Sequence, residues 1–174
     1  MQKSPRASGT PEPHWINLLG FLCTILVLVS SFLLPRGGNL WIRMLGVFML
    51  LLASVLMFLP FYYLKKFGGV REGHPYYETT ILVRKGLYRL IRHPQYLGYC
   101  LLSAGFALLS QHNIVIILAV TAIILFYIYT VKEEAFCLKR LGEPYRIYMR
   151  QVPRFNIITG FFRLFFNDSS SDKP

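Results

Sequence analysis

Two short stretches carry the residue types best suited to chemistry. Arg92-His93-Pro94 stands where a basic, polar segment runs into an apolar helix. Proline is favoured at the first helical position, where its missing N–H costs nothing. The free N–H groups there and the helix dipole attract an anion, and Arg92 and His93 add a cationic cradle. Glu133-Glu134 stands where a later apolar helix emerges into polar sequence. A ligand bearing both a carboxylate and an ammonium group would find complementary partners in such a pair of sites. Ordinary alternatives stay open. Arginine and tyrosine at a helix entrance serve as interface anchors. Glu133 and Glu134 paired with Lys132, Arg140 or the long polar loop that leads to His93 would be surface ion pairs worth ~0–1 kcal/mol.

Positioning these residues falls to long apolar runs. The 174 residues are 54% hydrophobic and only 16% charged, with mean hydropathy +0.44, too apolar for a soluble domain of this length. A net charge of +11 raises the question of nucleic acid. The cations flank apolar runs instead of forming one stripe, and membrane orientation accounts for them better. Cys23, Cys100 and Cys137 are isolated, with no disulfide framework or zinc spacing. The four histidines are scattered too, which argues against a metal site.

The expected fold is an all-α integral membrane protein of about four transmembrane helices plus a cytosolic or interfacial C-terminal helical segment. Residues 1–14 read as a disordered cytosolic tail with three prolines. Trp15–Leu34 makes a first crossing, too long for a signal-peptide core and without a cleavage site. Leu40–Leu64 makes a second, with Pro60 expected to kink it. These two crossings span 15–64, and a region with the other two crossings and the C-terminal amphipathic helices follows over 65–166. A 27-residue polar loop, Phe67–His93, is of a length usually kept for function. Pro94–Ser110 is a slightly short third crossing, with Gly98 and Gly105 on one face. Ile114–Val131 is the fourth, ~27 Å long, and its helix continues into water as far as Gly142. A further helix opens near Pro144 and stops at Pro153. Aromatic Ile157–Phe166 suits the membrane interface, and 167–174 is a polar tail.

Lysine and arginine counts orient the bundle. The N-terminal tail has two, the first turn two with Arg43 included, the long loop seven with Lys65 and Lys66 at its edge included, the second turn none and the C-terminal part eight. By side that is seventeen against two, which places both termini and the long loop in the cytoplasm. The Arg92-His93-Pro94 entrance and the Glu133-Glu134 exit then share one membrane face. The methionine moiety of S-adenosylmethionine is a ligand of the required kind.

A set of motifs makes this sharper. Leu82-Val83 to Gly86-x-Tyr88, Arg92-His93-Pro94-x-Tyr96-x-Gly98, Glu133-Glu134, and Gly142-x-x-Tyr145-x-x-Tyr148-x-x-x-Val152-Pro153-Arg154-Phe155 together resemble the isoprenylcysteine carboxyl methyltransferase and phospholipid methyltransferase superfamily. The resemblance covers residues 66–156 with four elements in order. It implies an integral membrane enzyme that transfers a methyl group from S-adenosylmethionine, entering from the cytosol, to a lipophilic acceptor arriving from the bilayer. It further implies that Thr80, Ile81, Leu82, Val83 and Tyr88 line the adenosine side. Arg92, His93, Pro94 and Gln95 would contact the cofactor, Glu133, beside Glu134, would hold its polar end, and Tyr96 and Gly98 would shape the pocket. No soluble-type methyltransferase is indicated, because no glycine-rich turn follows a strand signal.

One departure bears on the acceptor. Isoprenylcysteine members typically carry an arginine one helical turn before the matching glutamate, where this chain has Tyr129. Tyrosine offers a hydroxyl and an aromatic face but no bidentate grip on a carboxylate. Unless Arg92 or Arg154 supplies that charge, Tyr129 favours a lipid amine or hydroxyl over a prenylated cysteine. Two other readings stay in view: a membrane sterol or enone reductase using NADPH, and a non-enzymatic membrane scaffold. Oligomeric state and any general base are not legible.

Overall fold

The computed structural model describes residues 14–70, 79 and 81–168. The expected N-terminal tail, apart from His14, lies outside them. Among the described residues six α-helices follow one another: α1 (His14–Leu33), α2 (Leu40–Phe67), α3 (Pro94–Ser110), α4 (Asn113–Leu141), α5 (Glu143–Gln151) and α6 (Ile157–Asp168), with a 3₁₀ turn at Gly86–Arg89 before α3. There is no strand among the described residues. Among the described residues three helices, α1, α2 and α4, are long and apolar enough to cross a membrane. The fourth of the bundle, α3, has 17 residues, ~25 Å of rise.

Helix ends follow local chemistry. Asn39 caps α2, its side chain accepting from Ile42 N. Pro94 occupies the first turn of α3, and α4 runs unbroken past the apolar stretch to stop at Gly142, whose φ of 65° suits glycine. Pro60 lies inside α2, which still continues to Phe67. His14 is already helical, so α1 begins one residue before the sequence boundary. Its neighbours Trp15 and Ile16 carry the apolar pattern that sustains it.

The helix α3 packs against α2, α4 and α1, and α1 packs on α4. Close approach depends on small residues. A Cβ at Gly46 would meet Gly105 O at 2.9 Å, and one at Gly98 would meet Met57 Cγ at 2.8 Å. Gly20 does the same for α1 against Phe126. Thr24 Oγ1 lies 3.1 Å from Ser103 Oγ, a buried polar clasp between α1 and α3. Where lipid contributes no hydrophobic drive between helices, such contacts and hydrogen bonds hold them together. Large side chains point outward instead: Trp41, Phe58, Leu51 and Ile117 are all well exposed on the bundle's outer surface. At the far end, Gln111 adopts a left-handed conformation. Its amide bridges Asn39 O and N at 2.8 and 3.2 Å, stitching the two short turns together.

Candidate active site

At the opposite end the chain folds back over the entrance to α3. Arg92 N donates to Pro153 O at 2.9 Å and His93 N to Arg154 O at 3.3 Å, so the segment after α5 lies along the Arg92-His93 junction. The Tyr148 hydroxyl donates to Tyr88 O at 2.8 Å, tying α5 to the 3₁₀ turn. Arg140 Nη2 donates to Thr79 O at 2.7 Å, holding the long loop over α4. Burial pushes the Tyr145 and Tyr148 hydroxyls well above the usual tyrosine range. Both therefore stay protonated, and Tyr148 keeps the proton it donates to Tyr88 O.

These contacts roof a cavity of about 410 Å³, a size typical of small-molecule sites. Arg92, His93, Pro94, Gln95 and Tyr96 form its wall at the start of α3, and Tyr129 and Glu133 face it from α4. Leu82, Val83 and Tyr88 close it from the loop side. Ten of the residues singled out by sequence thus converge on one space. Thr80 lies outside the described residues. Ile81 is 58% exposed and, like Gly98, Glu134 and Arg154, is not among the lining residues. Gly98 instead faces α2, where its missing side chain admits Met57.

Glu133 and Glu134, adjacent in sequence, have different surroundings. Glu134 is 2% exposed and receives Arg154 bidentately, Nε to Oε1 at 2.9 Å and Nη2 to Oε2 at 2.6 Å. Arg92 Nη2 and His93 Nε2 lie 3.3 and 3.2 Å from the same Oε1. One carboxylate therefore gathers two guanidinium groups and an imidazole from two segments. The hydrogen bond to Glu134 raises the Arg154 pKa further, and its guanidinium also sits over the Tyr127 ring at 5.2 Å. Arg154 is thereby committed to Glu134 instead of to a substrate carboxylate.

Glu133 is freer. Its side chain is 27% exposed, and His93 Nδ1 is 3.8 Å from its Oε2. That Oε2 is buried with no hydrogen-bond partner, and the same is true of Arg92 Nε and Nη1. Buried polar atoms without partners cost ~1–3 kcal/mol each. A guanidinium and a carboxyl group lining one cavity, both with unmet capacity, fit a zwitterionic amino-acid group: its carboxylate to Arg92, its ammonium to Glu133. The donor set thus suits the methionine end of S-adenosylmethionine.

Several lining residues escape the sequence reading. Phe136, Cys137 and Arg140 follow Glu133 at i+3, i+4 and i+7, so they share its face, a spacing that sequence does display. His14, Asn17 and Phe21 bring α1 into the cavity. Their i, i+3, i+7 spacing is helical, and Asn17 is a polar interruption in an apolar run. Asn17 Oδ1 is buried without a partner. Deeper, Tyr96 stands 5.6 Å from the Tyr129 ring and 5.9 Å from Tyr99, giving that end an aromatic lining.

The family model described as phospholipid methyltransferase matches residues 41–143. The match spans α2 to α4, and α1 and the C-terminal helices fall beyond it. No curated protein and no solved structure matches the chain.

Proposed function

We propose, from the premise that the chain belongs to the phospholipid methyltransferase family, that it transfers the methyl group of S-adenosylmethionine to a lipid acceptor. Family membership makes it a membrane methyltransferase acting on lipid-type substrates. The observation that carries the cofactor assignment is the pair of unmet groups, Arg92 and Glu133, on one cavity. The cofactor supplies an already activated methyl group. The chain's own task is alignment and exclusion of water. Arg92 and Glu133 grip the amino-acid end, and Leu82, Val83 and Tyr88 cover the nucleoside side. Glu134 acts as a positioning residue, holding Arg92 and His93 through the contacts described above. Tyr129, with Asn17 and Tyr99, lines the end nearer the bilayer. There is no guanidinium in the place of Tyr129, and Arg154 is occupied by Glu134. That arrangement favours an acceptor whose nucleophile is an amine or hydroxyl over a prenylcysteine carboxylate.

The deciding experiment titrates detergent-purified protein with S-adenosylmethionine and, separately, NADPH. Saturable binding of the first alone is expected. Binding of NADPH alone would favour a reductase, and binding of neither a scaffold. Supplying labelled methyl donor with a total lipid extract, then with a farnesylcysteine analogue, reads the acceptor. Efficient formation of a base-labile ester on the analogue would overturn the reading of Tyr129.

The same proposal places the cavity and both termini in the cytoplasm, supported by the seventeen-to-two division of cations. In a background with the native cysteines replaced, Asn39→Cys and His112→Cys should label from outside and Gly73→Cys from inside. Outside labelling at Gly73 would reverse the orientation.

A further inference from the structure

The Tyr88–Tyr148 pair that roofs the cofactor cavity has a second face. Both tyrosines also line a separate cavity of about 260 Å³, together with Arg84, Arg89, Gln151 and Arg163. The three arginines come from three segments: the long loop, the end of the 3₁₀ turn and α6. None of the described lining residues is acidic.

Backbone contacts hold two of these guanidinium groups in place. Arg84 Nη2 donates to Pro144 O at 2.6 Å, and its guanidinium lies 5.6 Å over the Tyr148 ring. Arg163 donates to Gln151 O at 2.5 Å and also to Arg89 O, while its Nε is buried without a partner. Carbonyl oxygens orient these two groups without neutralising them, and no carboxylate among the described residues lines the cavity. Arginine forks match phosphate oxygens in charge and in planar geometry.

The position of the cavity suggests the source of the anion. Helix α6 seats against the chain at Gly160, where a Cβ would fall 2.1 Å from Leu90 O. Around Arg163, the same helix leaves Ile158, Phe161, Phe162 and Phe165 more than half exposed. An apolar helix face of this kind settles at the headgroup boundary of a bilayer. Arg163 is then level with lipid phosphates, where basic pockets capture anionic headgroups.

We propose that this cavity is a binding site for a phosphate group, supplied by an anionic phospholipid headgroup and distinct from the methyl-transfer site. The test uses the full chain in detergent, titrated with dihexanoyl phosphatidic acid, dihexanoylglycerol and inorganic phosphate. Saturable binding of the phosphatidic acid is expected, weakened at least tenfold in Arg84→Gln and in Arg163→Gln, with no binding of dihexanoylglycerol. Arg84 is exposed, so its variant keeps the test valid if loss of the Arg163 contacts unfolds α6; thermal melting reports which has happened. Saturating S-adenosylmethionine should leave the phosphatidic acid bound. Inorganic phosphate binding as tightly as the lipid would retain the phosphate site and assign it to the free anion. Unchanged affinity in Arg84→Gln, equal binding of dihexanoylglycerol, or displacement by S-adenosylmethionine would overturn it.

Discussion

Glu133→Gln is expected to weaken S-adenosylmethionine binding on the order of 100-fold, about 2.8 kcal/mol, while leaving the melting temperature unchanged or higher. The side chain keeps its size and loses only its charge. If Glu133 pairs with the cofactor ammonium, removing one partner of a desolvated charge pair costs ~2–5 kcal/mol. The free protein pays nothing comparable, because Oε2 has no hydrogen-bond partner to lose and the His93 Nδ1 beside it is 3.8 Å away. Calorimetric titration and a melt in the same detergent measure both quantities. Wild-type affinity in this variant would place the ammonium elsewhere and remove the main support for the cofactor assignment.

Its neighbour should behave in the opposite way. Glu134→Ala is expected to destabilise the protein by roughly 3–5 kcal/mol, the usual cost of breaking a buried ion pair from one side. Arg154, Arg92 and His93 would all lose the carboxylate they converge on. The segment 152–155 is held to the α3 entrance by this ion pair and two backbone hydrogen bonds, so the cavity should open as well. Cofactor affinity then falls as a consequence of lost structure. A double variant, Glu134→Leu with Arg154→Met, separates the two effects: it removes the charge and its principal partner together and should recover much of the stability. A Glu134→Ala protein that melts like wild type would show that the ion-pair cluster does not hold the site together.

The opposed behaviour of two consecutive glutamates marks the boundary between what sequence and tertiary structure determine. The length of the apolar runs was enough to locate four helices, because a helix that crosses a bilayer must stay apolar over a fixed length. Pro94 and Gly142 set two of the ends by backbone chemistry alone, and the helical register put Tyr129 and Glu133 on one face. Family motifs then brought ten cavity residues onto one list. The division of labour between Glu133 and Glu134 was not legible. A step of one residue turns the side chain by ~100°, and which direction is cavity and which is ion-pair cluster depends on where Arg154 arrives, twenty residues later. Gly98 was likewise ambiguous, since a missing side chain serves a helix and a ligand equally well until its neighbour is known, here Met57. In sequence the first helix shows an apolar run broken by a few polar residues, His14, Asn17, Thr24, Ser30 and Ser31. Its place beside the cavity follows from Gly20 meeting Phe126 and Thr24 meeting Ser103, contacts between segments that sequence order leaves far apart.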